Sequence, residues 1–116
     1  MSDHTEFDAE AAHRYFAAAC FNQAWDLIDK PQRTPAENEQ ILLLAVASLW
    51  HWTQRSDRTT QTLSVGHWQV SRVYALLGEA DNARAWASRC LELAQVDAVE
   101  PFYLGYAYEA LARAEW

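Results

Sequence analysis

Residues 67–78 read HWQVSRVYALLG. Moved along the chain by 34 positions, this stretch meets residues 101–112, PFYLGYAYEALA. Val70 then falls on Leu104, Ser71 on Gly105, Tyr74 on Tyr108 and Gly78 on Ala112. Self-similarity at a fixed period of this size signals a supersecondary unit repeated along the chain. The first copy reads as a helix that continues to Leu77. Gly78 takes the C′ position, where a left-handed residue ends a helix.

The flanking segments extend the helical reading in both directions. Gln54 to Thr62 is polar and holds a connection, with Asp57 or Ser56 available to cap the third helix. Gly66 then lies inside that helix. An interior glycine costs about 1 kcal/mol relative to alanine, so it implies close approach by the second helix. A fourth helix is expected from about Ala80 to Gln95, with Ala83, Trp86, Ala87, Cys90 and Ala94 on one face. A fifth begins near Asp97 with Pro101 in its first turn and continues to the end of the chain. Upstream, Thr34-Pro35-Ala36-Glu37 is the clearest local signal: a capping box with proline at N1, opening a second helix that runs to about Gln54. Ile41 to Leu49 is apolar nearly all round, which predicts a central helix packed on several sides. The first helix is expected from about Phe7 to Asp29, with Thr5 as N-cap and one wide apolar face that includes Phe7, Tyr15 and Phe16. Trp25 and Trp50 are expected in the core. Pro31 ends this helix.

Composition bounds the function. The chain has 116 residues, enough for one domain (1–116) and not two. Three glycines and three prolines are few, and 51% of residues are hydrophobic, which favours long helices and argues against disorder. The net charge of −7 repels phosphate backbones and anionic membrane surfaces, so neither nucleic acid nor membrane is an expected partner. The longest apolar run is too short to span a bilayer, and the acidic N-terminus lacks a signal-peptide h-region. Cys20 and Cys90 have no metal or redox spacing, so two reduced, buried thiols in a cytoplasmic protein are expected.

The 34-residue period and its residues resemble the tetratricopeptide repeat (TPR). The pattern W-x2-L-G-x2-Y is met at three of its four positions by Leu104, Gly105 and Tyr108, with Pro101 in place of the Trp, while in the earlier copy, His67, Val70, Ser71 and Tyr74, only the Tyr is identical. Ala83 stands at the helix B alanine and Gly78 at the turn. The resemblance covers about residues 64 to 112. It implies an all-α fold of about five helices, stacked as antiparallel hairpins in a right-handed superhelix. On that register a divergent hairpin spans 5–56 and a repeat and a half spans 58–115. Helices 1 and 2 do not share the register, since Gln40 and Leu44 fall opposite Tyr74 and Gly78. The alternative is an ordinary antiparallel bundle. The segments Phe21–Ile28, Ala47–Trp52, Trp68–Ala75 and Tyr108–Ala114 also resemble a group of small uncharacterised bacterial helical proteins, a likeness that brings no activity with it.

In TPR proteins the first helices of the hairpins line a concave groove. Carried over, that register assigns Trp68, Arg72, Phe102, Tyr106 and Glu109 to a partner-binding face. Trp68 and Arg72, four apart, suit a cation–π pair. Aromatics with a few polar heads suit a peptide or small ligand. The expected function is a non-enzymatic peptide- or protein-interaction module, with no cofactor. Its partner is a peptide or protein segment, or a second copy of the chain as a homodimer.

Two His-Trp pairs support the competing readings. His51, Trp52 and His67 stand on helices expected to be neighbours, so a small-ligand or metal-binding pocket there is the alternative. No His, however, has a second His or a carboxylate at ligand spacing on these helices, so no metal residues are assigned. His4 and His13 are nine apart, two and a half turns, and face opposite ways. No nucleophile elbow, P-loop, dinucleotide fingerprint or zinc-protease motif occurs, so no catalytic residue is assigned. A purely structural subunit of a homo-oligomer is the third reading.

Overall fold

Thr34 fixes the start of the second helix. Its hydroxyl accepts from the Glu37 N–H at 3.1 Å, and the Glu37 carboxylate accepts from the Thr34 N–H at 2.9 Å. Two otherwise unpaired backbone donors are satisfied at once. Pro35 follows at N1, where no N–H is needed. The computed structural model describes residues 7–95, 109, 110, 112 and 113. Its helices are α1 (Ala9–Ile28), α2 (Pro35–Gln54), α3 (Thr60–Leu76) and α4 (Ala80–Ala94). Glu109, Ala110, Ala112 and Arg113 are helical too. The rest of the expected fifth helix lies outside the described residues, so the described part of the chain carries four of the five expected helices.

The helices form two antiparallel hairpins. Ser48 on α2 donates to the Ala17 carbonyl on α1 at 2.7 Å. On the second hairpin, Ser71 donates to the Ala83 carbonyl at 2.8 Å, and Ser64 and Cys90 exchange bonds with each other's backbone. Small polar residues thus stand where two helices approach closely, each with its hydroxyl satisfied. Ala17, Ala24, Ala83, Ala87 and Ala94 are buried along the same seams. Alanine allows this approach and favours helix as well.

The hairpins join where α2 meets α3. A Cβ built on Gly66 would stand 2.8 Å from Leu49 Cδ1, which explains the interior glycine. Ile28, Ile41, Ala45, Leu49, Val70 and Val73 form the core at this junction. Gly78 has φ +78°, the left-handed conformation. Its N–H bonds the Ala75 carbonyl and the Glu79 N–H bonds the Tyr74 carbonyl, a Schellman closure. Arg33 holds the α1–α2 connection by donating to the Ile28 and Lys30 carbonyls and to Asn38.

Several expectations are corrected. Asp8, not Thr5, caps α1 through the Ala11 N–H. Thr59, not Ser56 or Asp57, caps α3, in a box closed by Thr62. Helix α2 is not enclosed on all sides: Leu43, Val46 and Trp50 are 65%, 40% and 54% exposed, because only one side of the helix faces α1 and α3. Trp50 is therefore not a core residue, whereas Trp25, half-buried, packs against the core. Phe7, which precedes α1, and Tyr15 and Phe16 on it are exposed. Both cysteines are free, but only Cys90 is buried.

Candidate functional site

Helices α1 and α3 meet through side chains, and the face they share carries aromatic and charged residues. Gln69, fully buried on α3, donates to the Phe21 carbonyl of α1 at 3.1 Å. One turn of α1 further on, Trp25 stacks on Trp68, with centroids 5.4 Å apart and planes inclined by 38°. Arg72, one turn beyond Trp68, places its guanidinium 5.5 Å from the Trp25 ring. The sequence paired Arg72 with Trp68, but the geometry puts it over Trp25. Two helices are needed for that contact, and spacing within one helix cannot reveal it.

The Trp68 indole N–H donates to Glu109 at 2.9 Å, and Glu109 also pairs with Arg113. The expected grouping of Trp68, Arg72 and Glu109 is thus brought together, with Trp25 and Arg113 added. Phe102 and Tyr106 lie outside the described residues. Arg72 is held below its ordinary value, first by burial and then by the neighbouring charge of Arg113, while Glu109 and Asp29 act in the opposite sense. Its Nε is buried with no hydrogen-bond partner among the described residues. A guanidinium keeps its proton throughout, so the result is a fixed, incompletely satisfied cation. Arg72 and Arg113 line a shallow cleft of about 190 Å³ with Ala75 and Leu76.

A second, larger cleft of about 290 Å³ opens on α1, the end of α2 and the start of α3. Ala18, Phe21, Asn22, Trp52, Gln61, Thr62 and Val65 line it. Its walls are mostly apolar, with Asn22, Gln61 and Thr62 as polar groups, a composition suited to small ligands or side chains. Arg55 covers the outer Trp52 ring at 3.7 Å. Of these residues the sequence singled out only Trp52. The others come from two further helices, α1 and α3, and nothing in local spacing connects them.

The two histidines proposed to share a pocket have different partners. His67 Nδ1 bonds the Leu63 carbonyl at 2.8 Å, and its ring lies against Trp86, with centroids 5.3 Å apart. His51 turns to α1 instead, with its Nδ1 2.9 Å from His13 Nδ1. Burial pushes both His51 and His67 below the ordinary imidazole value; the His13 charge adds to the effect on His51 and Arg89 to that on His67, where the Leu63 carbonyl opposes it. Burial also pushes the Cys20 and Cys90 thiols up, which disfavours the nucleophilic thiolate. No helix among the described residues is long and apolar enough to cross a membrane. Compared with family models, with curated proteins and with solved structures, the chain matches none.

Proposed function

We propose that this chain is a non-enzymatic binding module, its hairpins stacked in the manner of TPRs, that takes an extended peptide segment across the α1–α3 face. The observation that carries this reading is Arg72: a half-buried cation, its Nε enclosed without a hydrogen-bond partner among the described residues, beside the Trp25–Trp68 stack. An acidic side chain or a terminal carboxylate pairs with the part of the guanidinium that faces the cleft shared with Arg113, and Arg forks bind such groups strongly. The tryptophans offer aromatic area for the peptide's apolar residues. Trp and Arg are also the residue types that most often dominate binding energy. The 290 Å³ cleft at the other end of the same face accommodates an anchoring side chain. The two unpaired thiols suit the reducing cytoplasm.

The test is a titration of short peptides, with and without a free C-terminal carboxylate, followed by tryptophan fluorescence. Acidic peptides are expected to bind. Trp68→Ala and Arg72→Ala are each expected to weaken them about tenfold or more, the scale of an interface anchor. Equal binding by both variants, with unchanged circular dichroism, would refute the reading.

A second reading, a structural homo-oligomer subunit, draws on Leu43, Val46 and Trp50. They form an exposed i, i+3, i+7 stripe on α2. Light scattering across a dilution series separates the two. A chain that stays monomeric removes the second reading, and a dimer disrupted by Trp50→Ala removes the need for an outside partner.

A further inference from the structure

The contact between His13 and His51 belongs to neither the α1–α3 face nor either cleft. These residues come from different helices and are separated by 38 positions in sequence. Each turns the same ring atom, Nδ1, toward the other, 2.9 Å apart. Their rings are fixed by neighbours: Trp50 lies edge-on to both, and Phe16 lies against His51. Both imidazoles are half-buried, and neither has a second hydrogen bond among the described residues.

We infer that His13 and His51 form a two-nitrogen site for a borderline divalent cation, Zn²⁺ or Cu²⁺, on the α1–α2 hairpin. Imidazole nitrogen suits these ions, with metal–nitrogen distances of about 2.0–2.1 Å for zinc. At a tetrahedral angle two such ligands stand about 3.3 Å apart. The observed pair therefore needs to open by only about 0.4 Å, within the reach of the soft ring torsion of histidine. In the direct contact one Nδ1 carries a proton and the other accepts it. For both lone pairs to face an ion, that proton moves to Nε2 of the same ring through solvent. The neutral pair thus takes up the ion with no net loss of protons. One turn before His13, Glu10 accepts from Arg14 and from the Ser56 N–H, so it does not join the pair. No third His, Cys, Asp or Glu joins the pair among the described residues, so water fills the remaining positions. Sequence spacing set His13 against His4 and His51 against His67, and the α1–α2 packing replaces both pairings with this one.

The test uses the full chain, stripped with chelator and titrated calorimetrically with zinc chloride or copper sulfate at neutral pH. Saturable binding is expected, with the ring proton signals of both His13 and His51 shifting in NMR spectra. His13→Ala and His51→Ala are expected to weaken binding by roughly tenfold or more, since even outer-shell changes at metal sites cost 10–100-fold. His67→Ala is expected to leave it unchanged. His13→Gln, a polar replacement at a half-exposed position, serves if His51→Ala fails to fold. The inference is overturned if ions bind wild type and His13 variants equally, or if folded wild type gives no heat and no shift of the two ring signals.

Discussion

Gln69 is a fully buried amide at the centre of α3, and only half of it is satisfied. Its Nε2 donates to the Phe21 carbonyl, while its Oε1 has no hydrogen-bond partner among the described residues. Replacing it with methionine keeps the unbranched shape and nearly the volume, so neither a cavity nor overpacking enters. Three contributions remain. An unsatisfied buried acceptor costs about 1–3 kcal/mol, and that cost disappears. One amide–carbonyl bond is lost, worth about 0.5–1.5 kcal/mol net. Phe21 lies inside α1, where its carbonyl also faces the helical hydrogen-bond ladder, so losing Gln69 does not orphan it. The thioether also buries more apolar area than the amide, at about 25 cal/mol per Å². The sum favours Gln69→Met by about 1 kcal/mol. For a chain of this size that raises Tm by about 4 °C or somewhat more. Urea denaturation with an unchanged m-value and a thermal melt are the assays. A loss of 1 kcal/mol or more would refute the reasoning, because Oε1 would then have to be satisfied in solution. Gln69→Ala is expected to destabilise, since it opens a cavity in the same place.

Gly66→Val adds a Cβ 2.8 Å from Leu49 Cδ1 and two methyl groups beyond it, and overpacking of this kind costs about 1–3 kcal/mol by urea denaturation. Gly66→Ala is expected close to neutral, because a helix-propensity gain of about 1 kcal/mol offsets the crowding. Gly78→Ala meets open space, so its cost is the left-handed backbone alone, about 1–2 kcal/mol, and Gly78→Asn is expected to lose less. The pH profile follows from the two depressed histidines. The folded chain favours their neutral forms, so their contribution is complete above the ordinary value of 6.5 and is lost as pH falls from there through the folded-state values. Glu37 and Asp57 are lowered by Lys30 and Arg55, so a separate decline is expected below their ordinary values of 4.5 and 3.8. A urea midpoint that stays flat from neutral pH down to the carboxylate range would contradict the histidine part.

Local chemistry was legible wherever it depends on neighbours in sequence. Thr34 and Glu37 closed their capping box as read, Gly78 took its positive φ, and Gly66 marked the crossing with α2. Cap choice failed where several candidates competed. Ser56, Asp57 and Thr59 can all cap a helix, and only the path of the chain selects Thr59. Burial failed more broadly. The apolar run in α2 suggested enclosure on all sides, yet a helix in a stack of hairpins has neighbours on some sides only, and Leu43, Val46 and Trp50 face outward.

What the sequence determined by itself was therefore helical content, the positions of the turns and the small-residue face of α4, because these follow from backbone conformation and from spacing along one helix. Tertiary structure decided every pairing between helices. Arg72 lies over Trp25 and not over Trp68, and His51 meets His13 and not His67. The physical reason is that spacing fixes which face of a helix a residue occupies but not which neighbour that face meets. The neighbour depends on how the hairpins dock, and that is set by the joint fit of Gly66, Leu49, Val70 and Ile41 at their crossing.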